Sequence, residues 1–338
     1  MKIDHVNIHG LRALEQRDDA LVGADGPWTS VCVRGPNGSG KTTWLEAVGQ
    51  LWQWFRRCAK KRDWVQPSKD PRDGLLQEAQ LVAAHFTGLP GPRPNLWLAW
   101  GEPATVASFV QEHRDTAIEV KGNRPRWDPD LLSWWDAEAT RAELGQGSVP
   151  NMVLIGAEDK QVAPLRRNDL LSVEAGPAMR ALYRYEPASR GSAHLEAVIG
   201  TLKLVDEARF HELERWVRDL FPGLEMAGFD ERSRRPLFRL RSSETLLTLD
   251  RLSAGERSVL VNLVTVLRGL APGGIVLLDE PELHMHLSLM RGTMAVLEQV
   301  VREMGGQLLV ASHAPEVWNH FLPRGALVEL SGRGARRG

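Results

Sequence analysis

The run GPNGSGKTT, Gly35 to Thr43, constrains the fold of this chain more than any other stretch. It fills the pattern G-x-x-x-x-G-K-[ST], whose glycines let the backbone curl so that successive N–H groups converge on phosphate oxygens. Before it, TSVCVR (Thr29 to Arg34) is a short apolar run that reads as a strand. After it, Trp44, Leu45, Val48, Leu51, Trp52 and Phe55 recur at spacings of three and four, the stripe of an amphipathic helix. Strand, glycine turn, helix is the order a phosphate loop requires, and the helix N-terminus adds the positive end of its dipole. The candidate cradle is Gly35, Pro36, Asn37, Gly38, Ser39, Gly40, Lys41, Thr42 and Thr43. Within it Lys41 is suited to the β- and γ-phosphates, and the Thr42 hydroxyl to Mg²⁺.

Such a loop needs a Mg²⁺ carboxylate at the end of a neighbouring parallel strand. IVLLDE supplies one: four apolar residues place Asp279 at the strand's C-terminal edge, where α/β sheets bind ligands. Glu280 follows and is placed to orient or deprotonate an attacking water. The same stretch, LLDEPELHMH, also reads as a self-contained metal cluster, with three carboxylates and two histidines between 279 and 286. Helical geometry argues against that alternative. If Pro281 opens a helix, residues two apart point about 200° away from each other, so His284 and His286 cannot share an ion.

Two further motifs bear on this site. LSAGE, Leu252 to Glu256, precedes an apolar helix; Ser253 as N-cap and Glu256 three residues on form a capping box. VASHAP ends an apolar strand in Ser312 and His313, predicted to emerge at the same sheet edge as Asp279.

The chain predicts an α/β fold. KIDHVNIHGL alternates as a strand; LWLAW, ASFVQ and TAIEV read as strands of an antiparallel sheet, and NMVLIGAED as a buried strand. Residues 193 to 221 carry a helical pattern, and PLFRLRS with TLLTLD reads as a hairpin. Helices near 255–270 and 288–304 alternate with IVLLD and QLLVAS, the rhythm of a parallel sheet covered on both faces. The expected division is an N-terminal core piece (1–60), an insert lobe of antiparallel strands and helices (61–244), and a C-terminal core piece (245–338).

Composition narrows the partners. Acidic and basic side chains number 43 and 42, a formal net charge of −1, so any nucleic-acid contact needs a local patch. RRCAKKR (Arg56 to Arg62) and the cluster Arg232, Arg234, Arg235, Arg239 and Arg241 are the candidates, against a solvated basic face. Two cysteines, no apolar leader and no run of about 18 apolar residues point to a cytoplasmic protein with no membrane span. Ten of 12 tryptophans precede residue 150, read as a core layer or, alternatively, as a docking surface.

Together these residues resemble the ABC-type P-loop ATPases of the RecF/SMC/OLD-like branch. GPNGSGKTT is similar to Walker A, LSAGE to the cassette signature, LLDEPELHMH to Walker B, and the SH at 312–313 to the switch histidine. The resemblance implies a head of ABC-ATPase type: a parallel core sheet, an antiparallel β-subdomain and a helical insert. It implies ATP and Mg²⁺ as cofactors, and a dimer or higher oligomer formed on ATP. Ser253, Gly255 and Glu256 would then reach the ATP held by the partner head. Glu280 would be the catalytic base, His313 the switch, and Thr42 with Asp279 the metal ligands. Lys41 and Ser253 are separated by 212 positions, too few for long coiled-coil arms and too many for a transporter cassette. No fused nuclease domain is expected after His313, so a nuclease or toxin effector would be a separate chain. The implied work is nucleic-acid-related, in DNA repair or antiphage defence. The alternative is a slow ATP-gated scaffold that sequesters a toxin or nuclease. Leu287, where the OLD-like pattern has proline, is a departure. A Q-loop glutamine has only Gln77 and Gln80 as candidates.

Overall fold

The computed structural model describes residues 1–331 except 71–72, 114, 122–123, 159–161, 163–179 and 186–193. The N-terminal part holds β1 (Lys2–Leu11), β2 (Leu14–Ala20), the two-residue ladder of β3 (Val22–Gly23) and β4 (Gly26–Pro27), β5 (Ser30–Arg34) and α1 (Lys41–Lys61). Then come β6 (Leu81–Thr87), β7 (Leu96–Gly101), α2 (Pro103–Glu112), β8 (Ile118–Lys121), β9 (Arg124–Trp127), α3 (Pro129–Glu143), β10 (Met152–Ile155) and β11 (Leu182–Arg184). The C-terminal half comprises α4 (Leu195–Val205), α5 (Glu207–Leu220), β12 (Leu224–Phe229), β13 (Pro236–Leu240), β14 (Thr245–Thr248) and α6 (Ala254–Gly269). It closes with β15 (Ile275–Asp279), α7 (Leu287–Glu303), β16 (Gln307–Ser312), α8 (Pro315–Phe321) and β17 (Leu327–Glu329).

Six strands form the core sheet in the order β11-β10-β15-β16-β5-β17, every neighbouring pair parallel. Their side chains alternate between two hydrophobic clusters, as the period of a strand requires. Val31, Val33, Ile275, Leu277 and Leu309 enter one; Cys32, Val276, Leu278, Leu308 and Val310 enter the other. Coverage on both faces explains why these strands read as continuous apolar runs.

Helix α1 lies between the core sheet and an antiparallel sheet of order β2-β1-β6-β7, touching strands of both. Tryptophans fill this layer. Trp52 packs against Phe55, Phe86 and Trp135, and Trp54 against Trp64, Trp100 and Trp127. The tryptophan-rich half is therefore core, and the docking-surface alternative does not hold for it. Of the ten tryptophans only Trp28, Trp64 and Trp134 are partly exposed.

Several expectations need correction. ASFVQ lies in helix α2, where Glu102 is the N-cap and Pro103 opens the first turn. A short apolar run does not distinguish strand from helix by periodicity alone. The helical pattern at 193–221 holds and resolves into α4 and α5, broken at Asp206, whose carboxylate caps α5 by accepting from the Arg209 N–H. Pro281 opens no helix: residues 281–284 form a turn, and α7 starts at Leu287 with His286 as N-cap. Strands β10 and β11 fall inside the span 61–244 read as an insert lobe, yet both pair in the core sheet. The hairpin forms as expected from β13 and β14, with β12 added as a third strand.

Among the described residues no helix is long and apolar enough to cross a membrane. The longest, α1, has 21 residues, about 32 Å at 1.5 Å per residue, and no coiled-coil arm is seen among them.

Candidate functional site

The loop after β5 curls as its glycines predict: Gly38 and Gly40 have φ of 76° and 96°, in the left-handed region. Gly40 is also the N-cap of α1, and a side chain there would collide with Leu14 at 2.8 Å. A Cβ on Gly35 would stand 2.6 Å from the Leu330 carbonyl and from Ser39 Oγ. Gly35 and Gly40 thus admit neighbours, Leu330 and Leu14, that a side chain would displace. Lys41, buried, bends back so that its Nζ donates to the Pro36 carbonyl at 3.0 Å.

Asp279 ends β15, and Thr42 Oγ1 donates to its Oδ2 at 2.7 Å across 237 residues of sequence. The two residues read as metal ligands therefore meet, one from the helix start and one from the sheet edge. β16 lies beside β15 with Ala311 opposite Asp279, which brings Ser312 and His313 to the same edge.

Glu280 has φ of 43°, a conformation that is uncommon and costly for a residue with a side chain. Its N–H is held by the Ala311 carbonyl at 2.8 Å, and its Oε1 meets His313 Nδ1 at 3.1 Å. Backbone strain kept at such an edge is the kind that clusters at functional positions.

Glu282, left without a role by the sequence, anchors the neighbouring strand end. Its Oε1 accepts from Ser312 Oγ at 2.6 Å and from the His313 N–H at 3.3 Å, and lies 3.4 Å from His313 Nδ1. His313 sits between two carboxylates. The turn at Pro281 is what makes this possible, because it carries Glu282 back over the sheet edge instead of along a helix. His284 has φ of 66°, and His286 Nδ1 meets Ser288 Oγ at 3.2 Å. Neither belongs to a group with metal-ligating geometry among the described residues.

The capping box is present in both halves: Glu256 N–H to Ser253 Oγ at 3.3 Å, and Ser253 N–H to Glu256 Oε2 at 2.7 Å. Ser253 is exposed and Gly255 buried. A Cβ on Gly255 would stand 2.7 Å from the His284 carbonyl, so this glycine lets the start of α6 seat against the turn after Glu280. Gln77, a Q-loop candidate, has its amide committed to the Pro67 and Ser68 carbonyls. Gln80 packs its side chain under Gly10.

The basic patches are partly neutralised, with ion pairs at four of their ten cations among the described residues. Arg235 pairs with Glu196 and Asp250, Arg239 and Arg241 with Glu225, and Arg62 with Asp136. Arg56 is buried over Trp135, and desolvation pulls its guanidinium down to about 10.

The parallel core sheet with α1 packed beneath an antiparallel sheet is the fold of an SMC-type head domain. Residues 191–319 match the family described as "AAA domain, putative AbiEii toxin, Type IV TA system". The chain is similar to the crystal structure of an SMC head bound to the C-winged helix domain of ScpA. They share 12% identity over 94% of this chain and 91% of that one, with a TM-score of 0.51. The SMC head domain from Thermotoga maritima shares 13% identity over 94% and 92%, with a TM-score of 0.44. No curated protein sequence matches.

Proposed function

We propose that this chain binds and hydrolyses ATP and that two copies close face to face around it, coupling closure to a separate effector. The observation that carries the reading is the Thr42–Asp279 contact at 2.7 Å, which joins the two motifs expected to share Mg²⁺. The surroundings fit a nucleotide: a cradle with two left-handed glycines, a buried lysine resting on a loop carbonyl, and a buried Ser39 hydroxyl without a protein partner among the described residues. When bound, Mg²⁺ neutralises charge on the phosphates. Gly35 to Thr43 would hold the phosphates, with Lys41 on the β- and γ-groups; Thr42 and Asp279 would hold the ion.

Glu280 is the group that takes the water's proton, with Oε1 as acceptor and His313 fixing its rotamer. Glu282 and Ser312 position His313 in turn. Ser253, exposed at the start of α6, and Gly255 and Glu256 beside it belong to the face offered to the second head.

The effector reading is toxin or defence work. Its support is the family description over 191–319, which names a toxin of a toxin–antitoxin system. A separate partner chain is in keeping with the SMC head that was crystallised with part of ScpA. Direct nucleic-acid binding has thin support, because the formal net charge is −1 and Arg62, Arg235, Arg239 and Arg241 of the two patches are engaged in ion pairs.

The test measures ATP binding, phosphate release and mass in solution with ATP and Mg²⁺. Wild type should bind, turn over and dimerise, and Lys41→Ala should lose all three. A Lys41→Ala chain that binds ATP normally overturns the assignment. A salt titration on duplex DNA decides the nucleic-acid component: phosphate contacts make affinity fall steeply with salt.

A further inference from the structure

Near the N-terminus the sequence I-D-H-V breaks the alternation of β1. Ile3, Val6 and Ile8 are fully buried, whereas Asp4 and His5 are consecutive residues turned from the core. The register with β6 shifts between Ile3 and His5, so a β-bulge directs two successive side chains to one face. His85 of β6 is the cross-strand partner of His5. Bulge and pairing together bring one carboxylate and two imidazoles to a single patch, far in sequence from the loop at Gly35.

We propose that Asp4, His5 and His85 form a binding site for a first-row divalent transition ion, with Zn²⁺ the ion that fits best. Their donor atoms all lie within 4.8 Å of one another. Asp4 Oδ1 is 2.7 Å from His85 Nδ1 and 3.1 Å from His5 Nδ1. Donors around a tetrahedral Zn²⁺ at ~2.0–2.1 Å stand roughly 3.3 Å apart, so the Asp4–His85 pair must open by about half an ångström and the Asp4–His5 pair by less. Imidazole nitrogens select for zinc, iron, nickel or copper and against Mg²⁺ and Ca²⁺, which take oxygen donors.

The surroundings favour occupancy. The Trp97 ring lies 5.0 Å from His85 and 6.2 Å from His5, which limits the imidazole freedom lost on binding. His5 is 39% exposed, which leaves water access to a fourth position.

The test uses the full chain stripped with EDTA and dialysed against Zn²⁺ in excess Mg²⁺. One Zn²⁺ per chain is expected. Asp4→Asn and His85→Gln should each weaken binding at least ~10-fold, since loss of even an outer partner costs that much. His284→Gln should leave binding unchanged. In a parallel measurement Co²⁺ should give the intense visible absorption of a four-coordinate site in wild type. No bound Zn²⁺, no such spectrum, binding that survives both ligand variants, or binding lost with His284→Gln instead, each overturns the proposal.

Discussion

Replacing Glu280 by glutamine separates chemistry from architecture at this site. The substitution keeps shape and leaves a carbonyl oxygen able to accept from His313 Nδ1, now at 3.1 Å. What it removes is the negative charge and the capacity to take a proton. A hydrogen bond to a charged group contributes ~1.5–3 kcal/mol against ~1 for a neutral one. The Glu280 side chain is 21% exposed, so the charge is partly screened and the stability change should stay near ~1 kcal/mol. In a domain this large that is a fall in melting temperature of about 2–4 °C. Turnover, by contrast, loses general-base catalysis, a fall of roughly 10²–10⁴-fold. On the proposed reading ATP binding rests on Lys41 and the cradle and should change little, so the variant should accumulate as an ATP-bound dimer. Phosphate release in a single turnover, read beside mass by light scattering, checks both parts. A variant that releases phosphate at the wild-type rate refutes the assignment of the base. A fall in melting temperature of ten degrees or more would instead make Glu280 a structural residue.

Other outcomes follow from the same contacts. Glu282→Ala should destabilise the chain by about 2–4 kcal/mol, because the buried Ser312 hydroxyl and the His313 N–H lose an ionised acceptor; denaturant melts check this, and turnover should fall with it. Trp52→Ala should cost ~3–5 kcal/mol of core packing. Trp52→Phe should cost far less, since Trp52 Nε1 is buried without a protein partner among the described residues. Glu298 carries an acid-side pH dependence. Burial raises its carboxyl, but hydrogen bonds from His320 and Ser30, with the His320 and Arg324 charges, pull it from 4.5 down to about 2. A depressed carboxylate stabilises the fold above its unfolded value, and that stability is lost as pH falls from about 4.5 toward about 2. Glu298→Gln should flatten melting temperature across that window.

What was legible in the sequence is what local chemistry dictates within a few residues. A left-handed turn needs Gly38 and Gly40 whatever surrounds it, and a capping box is complete between Ser253 and Glu256. Apolar alternation or continuity marks β1, β15 and β16 because each strand's burial is written into its own side chains. The glycine turn between β5 and α1, the strand ending in Asp279 and the edge placement of His313 were therefore readable, as was the α/β order.

Tertiary structure decided whatever depends on pairing across long separations. Ten tryptophans read as a core layer, with a docking surface as the alternative, until α1 was seen between two sheets. That β10 and β11 belong to the parallel sheet rests on hydrogen bonding to β15, which their short apolar runs do not specify. Pro281 was compatible with a helix start; the chain turns instead, held by Glu282 reaching Ser312 and His313 across the sheet edge. The bulge that turns Asp4 and His5 toward His85 exists only in the register of β1 against β6. Residue types and spacings set the menu of local conformations, and the packing of distant segments selected among them, because the hydrogen bonds that distinguish the options join residues tens to hundreds of positions apart.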